Sequence, residues 1–196
     1  ERVLASLAHE EPDRVPVTFA YETPTDILRR YGKTRDDLDM RQDVFRVPLT
    51  QPPPPTDVAE RYLGDVELPP DTEIDAWGVA RWHSPTGEAH SVVGPLRHAE
   101  TIEDIEAFDW PDVGHDDGLP GRVRAMHDDG FAVMSGGLGS IFEQSWYMFG
   151  MARLMMATVT DPELAACLFD KVTERVIDSS RQFAAAGVDV LGLSDD

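Results

Sequence analysis

Two short apolar runs, Phe131-Ala-Val-Met134 and Val188-Asp-Val-Leu-Gly-Leu193, stand on either side of a long stretch with helical periodicity. No other feature constrains the fold as tightly. A hairpin cannot hold so many residues between antiparallel partners, so strands joined by this helical crossover must run parallel. The crossover holds two amphipathic segments, the second of which is the most legible helix in the sequence. Asp161 is placed to accept from a backbone N–H two or three residues on, and Pro162 takes the first helical position, where its missing N–H costs nothing. Leu164, Leu168, Val172, Val176, Ser180 and Phe183 or Ala184 recur at helical spacing, with Glu163, Lys171, Glu174, Arg175 and Asp178 elsewhere around the wheel. Gly187 is the expected stop. The strand from Val188 is expected to be buried, and it runs into Ser194-Asp195-Asp196. Polar residues just past the C-terminal end of a parallel strand are where α/β folds and barrels keep their chemistry, which makes Asp195 and Asp196 candidate active-site residues.

Upstream, Glu1 to Ala8 forms a short expected helix, and Arg14-Val-Pro-Val-Thr-Phe19 a first strand with Tyr21 and Glu22 just beyond it. Thr23-Pro24-Thr-Asp26 starts a helix that stops at Gly32, and Thr34 offers a second start. Asp43-Val-Phe-Arg-Val-Pro-Leu49 is a second strand, closed by Pro52 to Pro55, a stiff connector. Trp77 to Trp82 and Ala89 to Val93 flank Ser84-Pro-Thr-Gly87 as a hairpin, an excursion from the main sheet. Thr101-Ile-Glu-Asp104 is a capping box, Trp110-Pro111 ends the helix it opens, and Gly121 to Asp129 is a further helix feeding Gly130. Strands at about 15–19, 44–49, 131–135 and 188–193, mostly with helices between, predict half of a (β/α)8 TIM-type barrel whose usual length is roughly 250 residues or more. The chain is expected to be one domain, 1–196, continuing past Asp196 because a sheet stopping there leaves its last strand open. Glu1 is no initiator, so residues are also expected in front of it.

Charge narrows the partners. With 37 acidic residues against 17 basic ones, a formal net of -20, the surface repels nucleic-acid phosphates and anionic lipid. Lys33 and Lys171 are the only lysines; a chain kept soluble in concentrated salt, or a coding bias toward arginine, gives the same deficit. No apolar run is long enough to span a bilayer and nothing resembles a signal peptide, so a cytoplasmic location is expected. Cys167 stands alone in the long helix, which excludes a disulfide or a thiolate-rich metal site within these residues. The histidines show no i,i+4 pair and are expected on the surface. Met148, Met151, Met155 and Met156 are expected to pack a helix. Gly136-Gly137-Leu-Gly139 lacks the Lys-Ser/Thr of a phosphate loop and predicts a tight turn with close backbone approach.

Several segments, in order, resemble the uroporphyrinogen decarboxylase family: Arg2-Val-Leu4, Glu10-Glu-Pro-Asp-Arg-Val-Pro-Val17, Asp75-Ala-Trp-Gly-Val79, Pro95-Leu96 into Glu100-Thr-Ile-Glu-Asp104, and Trp110-Pro111. Gly139 to Phe142 with Glu143, Tyr147-Met148 to Gly150, Asp161-Pro162-Glu163, Ala186-Gly-Val-Asp189 and Asp195-Asp196 complete the series. The resemblance implies a single (β/α)8 barrel of which this chain is the N-terminal half. It also implies one of two chemistries. Decarboxylases remove acetate carboxylates from a porphyrinogen without a cofactor; methyltransferase relatives move a methyl group between a corrinoid protein and a thiol, with zinc holding the thiolate. The decarboxylases' arginine-rich segment after the first strand reads here Ala20-Tyr-Glu-Thr-Pro-Thr25, and Glu22 repels a polyanionic substrate that a guanidinium would hold. Methyl transfer is therefore the expected branch, with zinc and a corrinoid implied and the zinc ligands in the other half of the barrel.

On the same resemblance Asp195 and Asp196 face substrate, or else cap a loop; paired in a pocket, they would push one pKa up and set an acid beside a base. Tyr147 matches a substrate-contacting tyrosine, though Trp146-Tyr-Met-Phe149 also has the form of a packing helix. Glu143, Tyr21 and Glu22, each just after a strand, are further substrate-binding candidates. The expected partners are a small molecule or a corrinoid protein as substrate, and either a second copy in a homodimer or a missing C-terminal half. The alternative of another class is a non-catalytic assembly half joined to a second polypeptide.

Overall fold

The computed structural model describes residues 1–18, 25–34, 37, 42–51, 53–54, 56–83, 90–112, 114–136, 140–193 and 195, with the backbone alone at 25–27, 83, 90 and 91. In chain order the elements are α1 (Arg2–Leu7), α2 (Thr25–Arg30), β1 (Val44–Val47), α3 (Val58–Leu63), β2 (Glu73–Ile74), β3 (Ala80–His83), β4 (His90–Val93), α4 (Ile102–Glu106), α5 (Leu119–Asp128), β5 (Ala132–Ser135), α6 (Ile141–Phe149), α7 (Met151–Thr160) and α8 (Pro162–Ala186). The class is mixed α/β. The chain folds into two compact units, one of Glu1–Leu49, Asp116–Gly137 and Gln182–Gly192, the other of Thr50–His115, Leu138–Arg181 and Leu193–Asp196. Among the described residues no helix is long and apolar enough to cross a membrane.

The first unit is built on parallel pairing. β1 and β5 pair in the register Val44↔Ala132 to Val47↔Ser135, and a single parallel bridge joins Met134 to Val190. The peptide N–H groups of Asp189 and Val190 donate to the Val133 carbonyl at 2.8 and 3.2 Å, and Ser135 N–H donates to the Val190 carbonyl at 2.9 Å. The crossover strands are therefore parallel, as the length of the connection requires. Val3, Val44 and Ala132 form the small core beneath them, joined by Met134, and the Phe45 and Phe131 rings meet edge to face at 4.5 Å. Gly136 leaves β5 where an added Cβ would lie 2.9 Å from the Pro48 backbone, the close approach its glycine predicted; residues 137–139 lie outside the described residues.

Two strand expectations need correction. The 188–193 run contracts to the bridge at Val190: Val188 is half-buried, and Leu191 and Leu193 are 45% and 64% exposed, because among the described residues no strand pairs on its far side. Residues 14–18 form no strand either. Pro16 brings no N–H, Val15 is 80% exposed, and the segment is instead tied to the residue before β1. There the Val17 carbonyl accepts from Asp43 N–H at 2.7 Å while the Asp43 carboxylate accepts from Val17 N–H at 2.8 Å. Arg14 reaches the same carboxylate at 2.8 and 2.9 Å, and Arg2 bridges it to Asp13.

The second unit carries an antiparallel sheet, β2-β3-β4, in which β3 and β4 form the predicted hairpin from Ala80↔Val93 to His83↔His90; its turn, 84–89, lies outside the described residues. Its core gathers Val79, Leu96, Ile105, Phe108, Met148, Phe149, Leu154, Leu168 and Val172. The predicted capping box is present on α4, with the Thr101 hydroxyl accepting from Asp104 N–H at 3.2 Å and the Asp104 carboxylate accepting from Thr101 N–H at 2.9 Å. On α8 Asp161 accepts from Leu164 N–H at 3.2 Å, and Leu164, Leu168, Val172, Val176 and Phe183 are the buried stripe. Helix α3 is an addition to the expected elements: its six residues are too few to display a period and its sequence signals are terminal ones, Asp57 with Glu60 and Gly64, while the burial of Val58 and Leu63 sustains it. The exit of β4 packs against α6 backbone to backbone at Gly94, where an added Cβ would overlap the Met148 carbonyl oxygen.

Gly94→Ala is expected to destabilise the protein by about 3 kcal/mol, since backbone cannot yield as a side chain does; a chemical-denaturation midpoint within error of the parent contradicts that packing. Acid should also loosen the first unit. Burial by itself raises the Asp43 carboxyl, but the Val17 N–H and the Arg14 and Arg2 guanidinium groups outweigh it and hold the group below the usual carboxylate range. The Arg2 hydrogen bond likewise draws Asp13 down to about 2. A depressed folded-state pKa gives stability that is complete above the ordinary aspartate value and lost as pH falls through the depressed one. Thermal unfolding followed from neutral pH to below about pH 3 should show this loss, and Asp43→Asn should lower the neutral-pH midpoint and flatten the acid limb.

Candidate functional site

Helix α6 is the next element after β5 in the chain, and its first turn assembles the site. Ser140 is the N-cap, its Oγ accepting from Glu143 N–H at 2.7 Å. The Asp195 carboxylate lies against the same turn: Phe142 N–H donates to its two oxygens at 3.0 and 3.1 Å, Glu143 N–H at 3.4 Å, and the Ser140 hydroxyl donates to it as well. An anion on the unsatisfied amides of a helix start is favoured by the helix dipole and by direct hydrogen bonding. Burial works against the charge, yet the Ser140 hydroxyl and the amides of Phe142, Glu143 and Ile141 hold the Asp195 carboxyl below its ordinary range.

One turn along, the Tyr147 hydroxyl donates to Glu143 Oε1, an i,i+4 pair on one face of α6. The Arg81 guanidinium carbon lies 4.0 Å from the Tyr147 ring centre, a cation–π contact. Arg81 is in turn anchored to Asp75 Oδ2 at 3.3 Å through both Nε and Nη2, and Asp75 Oδ1 accepts from Trp77 and Val79 N–H at 2.9 and 3.0 Å. Burial first, and the hydrogen bond to Glu143 second, push the Tyr147 phenol above its ordinary value against the lowering effect of Arg81. At neutral pH Tyr147 is therefore a donor and Asp195 an acceptor.

Of the candidates read from sequence, Asp195, Glu143 and Tyr147 come together in one unit. Asp196, Tyr21 and Glu22 lie outside the described residues. The expected acid–base pair of aspartates lies in part outside the described residues, with Asp196; Asp195 itself has its carboxyl shifted down and bound to the helix start. Ser140, Arg81 and Asp75 are additions. A Ser three residues before Glu143 is a helix-start signature that could have been seen, as could Asp75-Ala-Trp-Gly78 as a side-chain-closed turn; Arg81 on a hairpin strand carries no local signal.

The resemblance puts the zinc ligands in the other half of the barrel. Among the described residues no three His, Cys, Asp or Glu side chains converge as a metal group, and burial raises the Cys167 thiol, away from the thiolate a soft metal binds. His9, His98, His115 and His127 are exposed, as expected, with His98 on Asp65 at 2.9 Å and His127 on Asp189 at 2.8 Å. The methionine expectation holds only for Met148, which is fully buried; Met151, Met155 and Met156 are exposed because helix α7 turns its other face, Leu154 and Ala157, to the core. No protein-family model, curated protein or solved structure matches the chain.

Ultraviolet titration of phenolate absorbance, wild type against Tyr147→Phe, should assign to Tyr147 a phenol that ionises later than an ordinary tyrosine. Glu143→Gln should bring that ionisation down without abolishing the shift, since burial, the larger cause, remains; an unchanged titration in Glu143→Gln contradicts the hydrogen bond.

Proposed function

We propose that this chain is the N-terminal half of a (β/α)8-barrel enzyme of the uroporphyrinogen decarboxylase family, working in corrinoid-dependent methyl transfer to a thiol or similar acceptor. The observation that carries the reading is the cluster of Asp195, Glu143 and Tyr147, drawn from segments that follow parallel strand segments in the chain, the position where barrels keep their chemistry. The parallel succession β1, β5, Val190, with helices in the connections, supports the barrel.

The charge of the cluster favours this branch over porphyrinogen decarboxylation. The cluster and its anchor bring three carboxylates, Asp75, Glu143 and Asp195, and among the described contacts the guanidinium of Arg81 is engaged by Asp75 and Tyr147. A substrate carrying many carboxylates meets repulsion there. In the proposed reaction the corrinoid supplies the methyl group. Glu143 accepts a hydrogen bond from the acceptor and orients it, and Tyr147 fixes the rotamer of Glu143 through its hydroxyl. Arg81 holds Tyr147, and Asp195 holds the helix start on which Glu143 rides. No step is routed through zinc.

Methyl transfer from a methylated corrinoid to a small thiol, read as thioether formation by mass spectrometry, tests the proposal on the full-length polypeptide. Turnover is expected, reduced about 10²-fold in kcat by Glu143→Gln and restored in part by Glu143→Asp. Turnover of uroporphyrinogen instead, or of neither substrate while a second polypeptide co-purifies, overturns it in favour of the decarboxylase or the assembly-half reading.

A further inference from the structure

Helix α7 buries Leu154 completely and Ala157 nearly so, yet its opposite face is also apolar. Met151, Met155 and Val159 recur at i, i+4 and i+8 and are 43%, 54% and 81% exposed, with Met156 at 62% and the exposed Ala152 beside them. The one charged residue of α7, Arg153, is turned away from this stripe: its guanidinium donates to the carbonyls of Leu96, Arg97 and Ala99 and lies 4.1 Å from the Phe149 ring centre. A chain with 28% charged residues thus presents a helix face free of charge. A helix that is apolar all round is normally covered on all sides, and a contiguous exposed apolar patch of this kind marks a contact surface.

Charge identifies the occupant. The stripe ends at the C-terminus of α7, where the helix dipole is negative, and exposed Asp161 and Glu163 follow at once. With the chain at a net -20, a second copy is repelled, and so is any acidic partner. We propose that this face is the docking surface for an amphipathic helix of a partner protein, apolar along one side and flanked by lysine or arginine. The apolar side packs on Val159 and on Met151, Met155 and Met156, whose unbranched thioethers adapt to a partner's contour, and the cationic flank sits over Asp161 and Glu163.

The test uses a synthetic helix with a leucine face and lysine flanks, binding to the full chain measured by calorimetry at low and moderate salt. A peptide of the same composition, scrambled to destroy the helical period, is the control for bare charge attraction. The periodic peptide is expected to bind and the scrambled one to bind at least about tenfold more weakly. The double variant Met155→Gln, Val159→Gln leaves charge and core untouched and should weaken binding about tenfold. Asp161→Asn with Glu163→Gln, which keeps a competent N-cap, should flatten the salt dependence. Hydrogen-exchange protection should rise in residues 151–160. Equal binding of both peptides, an unaffected glutamine variant, protection elsewhere, or sedimentation showing a dimer that the glutamine variant dissolves each overturns the proposal, the last by making a second copy the occupant.

Discussion

The peptide of Val133 is the point on which the first unit depends. The residue is fully buried, so its N–H and C=O must both find partners inside the protein. The carbonyl accepts from Asp189 and Val190, and the N–H donates to the Asp189 carboxylate at 2.8 Å. Asp189 therefore uses both its backbone and its side chain on one residue of β5, which fixes the register of the Val190 bridge. His127, at the end of α5, brings its ring Nε2 to the same carboxylate oxygen and ties the helix to the bridge. A side chain stands in where a longer ladder would supply backbone partners, which is why a single bridge at Val190 is enough to define the parallel direction.

The same device recurs across the chain and accounts for part of its excess of aspartate. Asp43 accepts from Val17 N–H, Asp75 from Trp77 and Val79, Asp104 from Glu100 and Thr101, Asp161 from Leu164, and Asp195 from Phe142 and Glu143. The short aspartate side chain reaches an amide two to four residues away, or one at a helix start, at little entropic cost, and Asp43 makes the same bond over a long chain separation. The net charge of -20 is thus not merely a solvated coat. Many of its carboxylates are structural acceptors, and amide dipoles as well as cations offset their charge locally.

Legibility in the sequence followed this local chemistry. Thr101 with Asp104, Asp161 with Pro162, and the stop at Gly187 with φ of +84° could be read because cap and terminator act within a few residues. The parallel crossover could be read because chain length alone forbids the alternative. Where a feature depends on partners far along the chain, the sequence is silent. Leu191 and Leu193 have the composition of a strand but no paired neighbour among the described residues, and the methionines of α7 have a helical period without declaring which side is covered. Of the site, Asp195 and Glu143 carry a positional signal as residues after expected strands and Tyr147 is singled out only by the family resemblance, whereas Arg81 enters only through the hairpin that the second unit folds against α6.

Gly150 explains how two dissimilar surfaces occupy successive helices. Its φ of +93° ends α6 and starts α7, a conformation open to glycine and strained for any side chain. Had α6 continued unbroken through residue 160, Tyr147 and Met151 would stand one turn apart on a common face. The polar pair of Glu143 and Tyr147 would then grade into an apolar ridge, and a ligand for one would meet the other. The break rotates the second helix so that Leu154 enters the core while Met151 and Met155 face outward, and Arg153 locks that orientation onto the carbonyls of residues 96, 97 and 99.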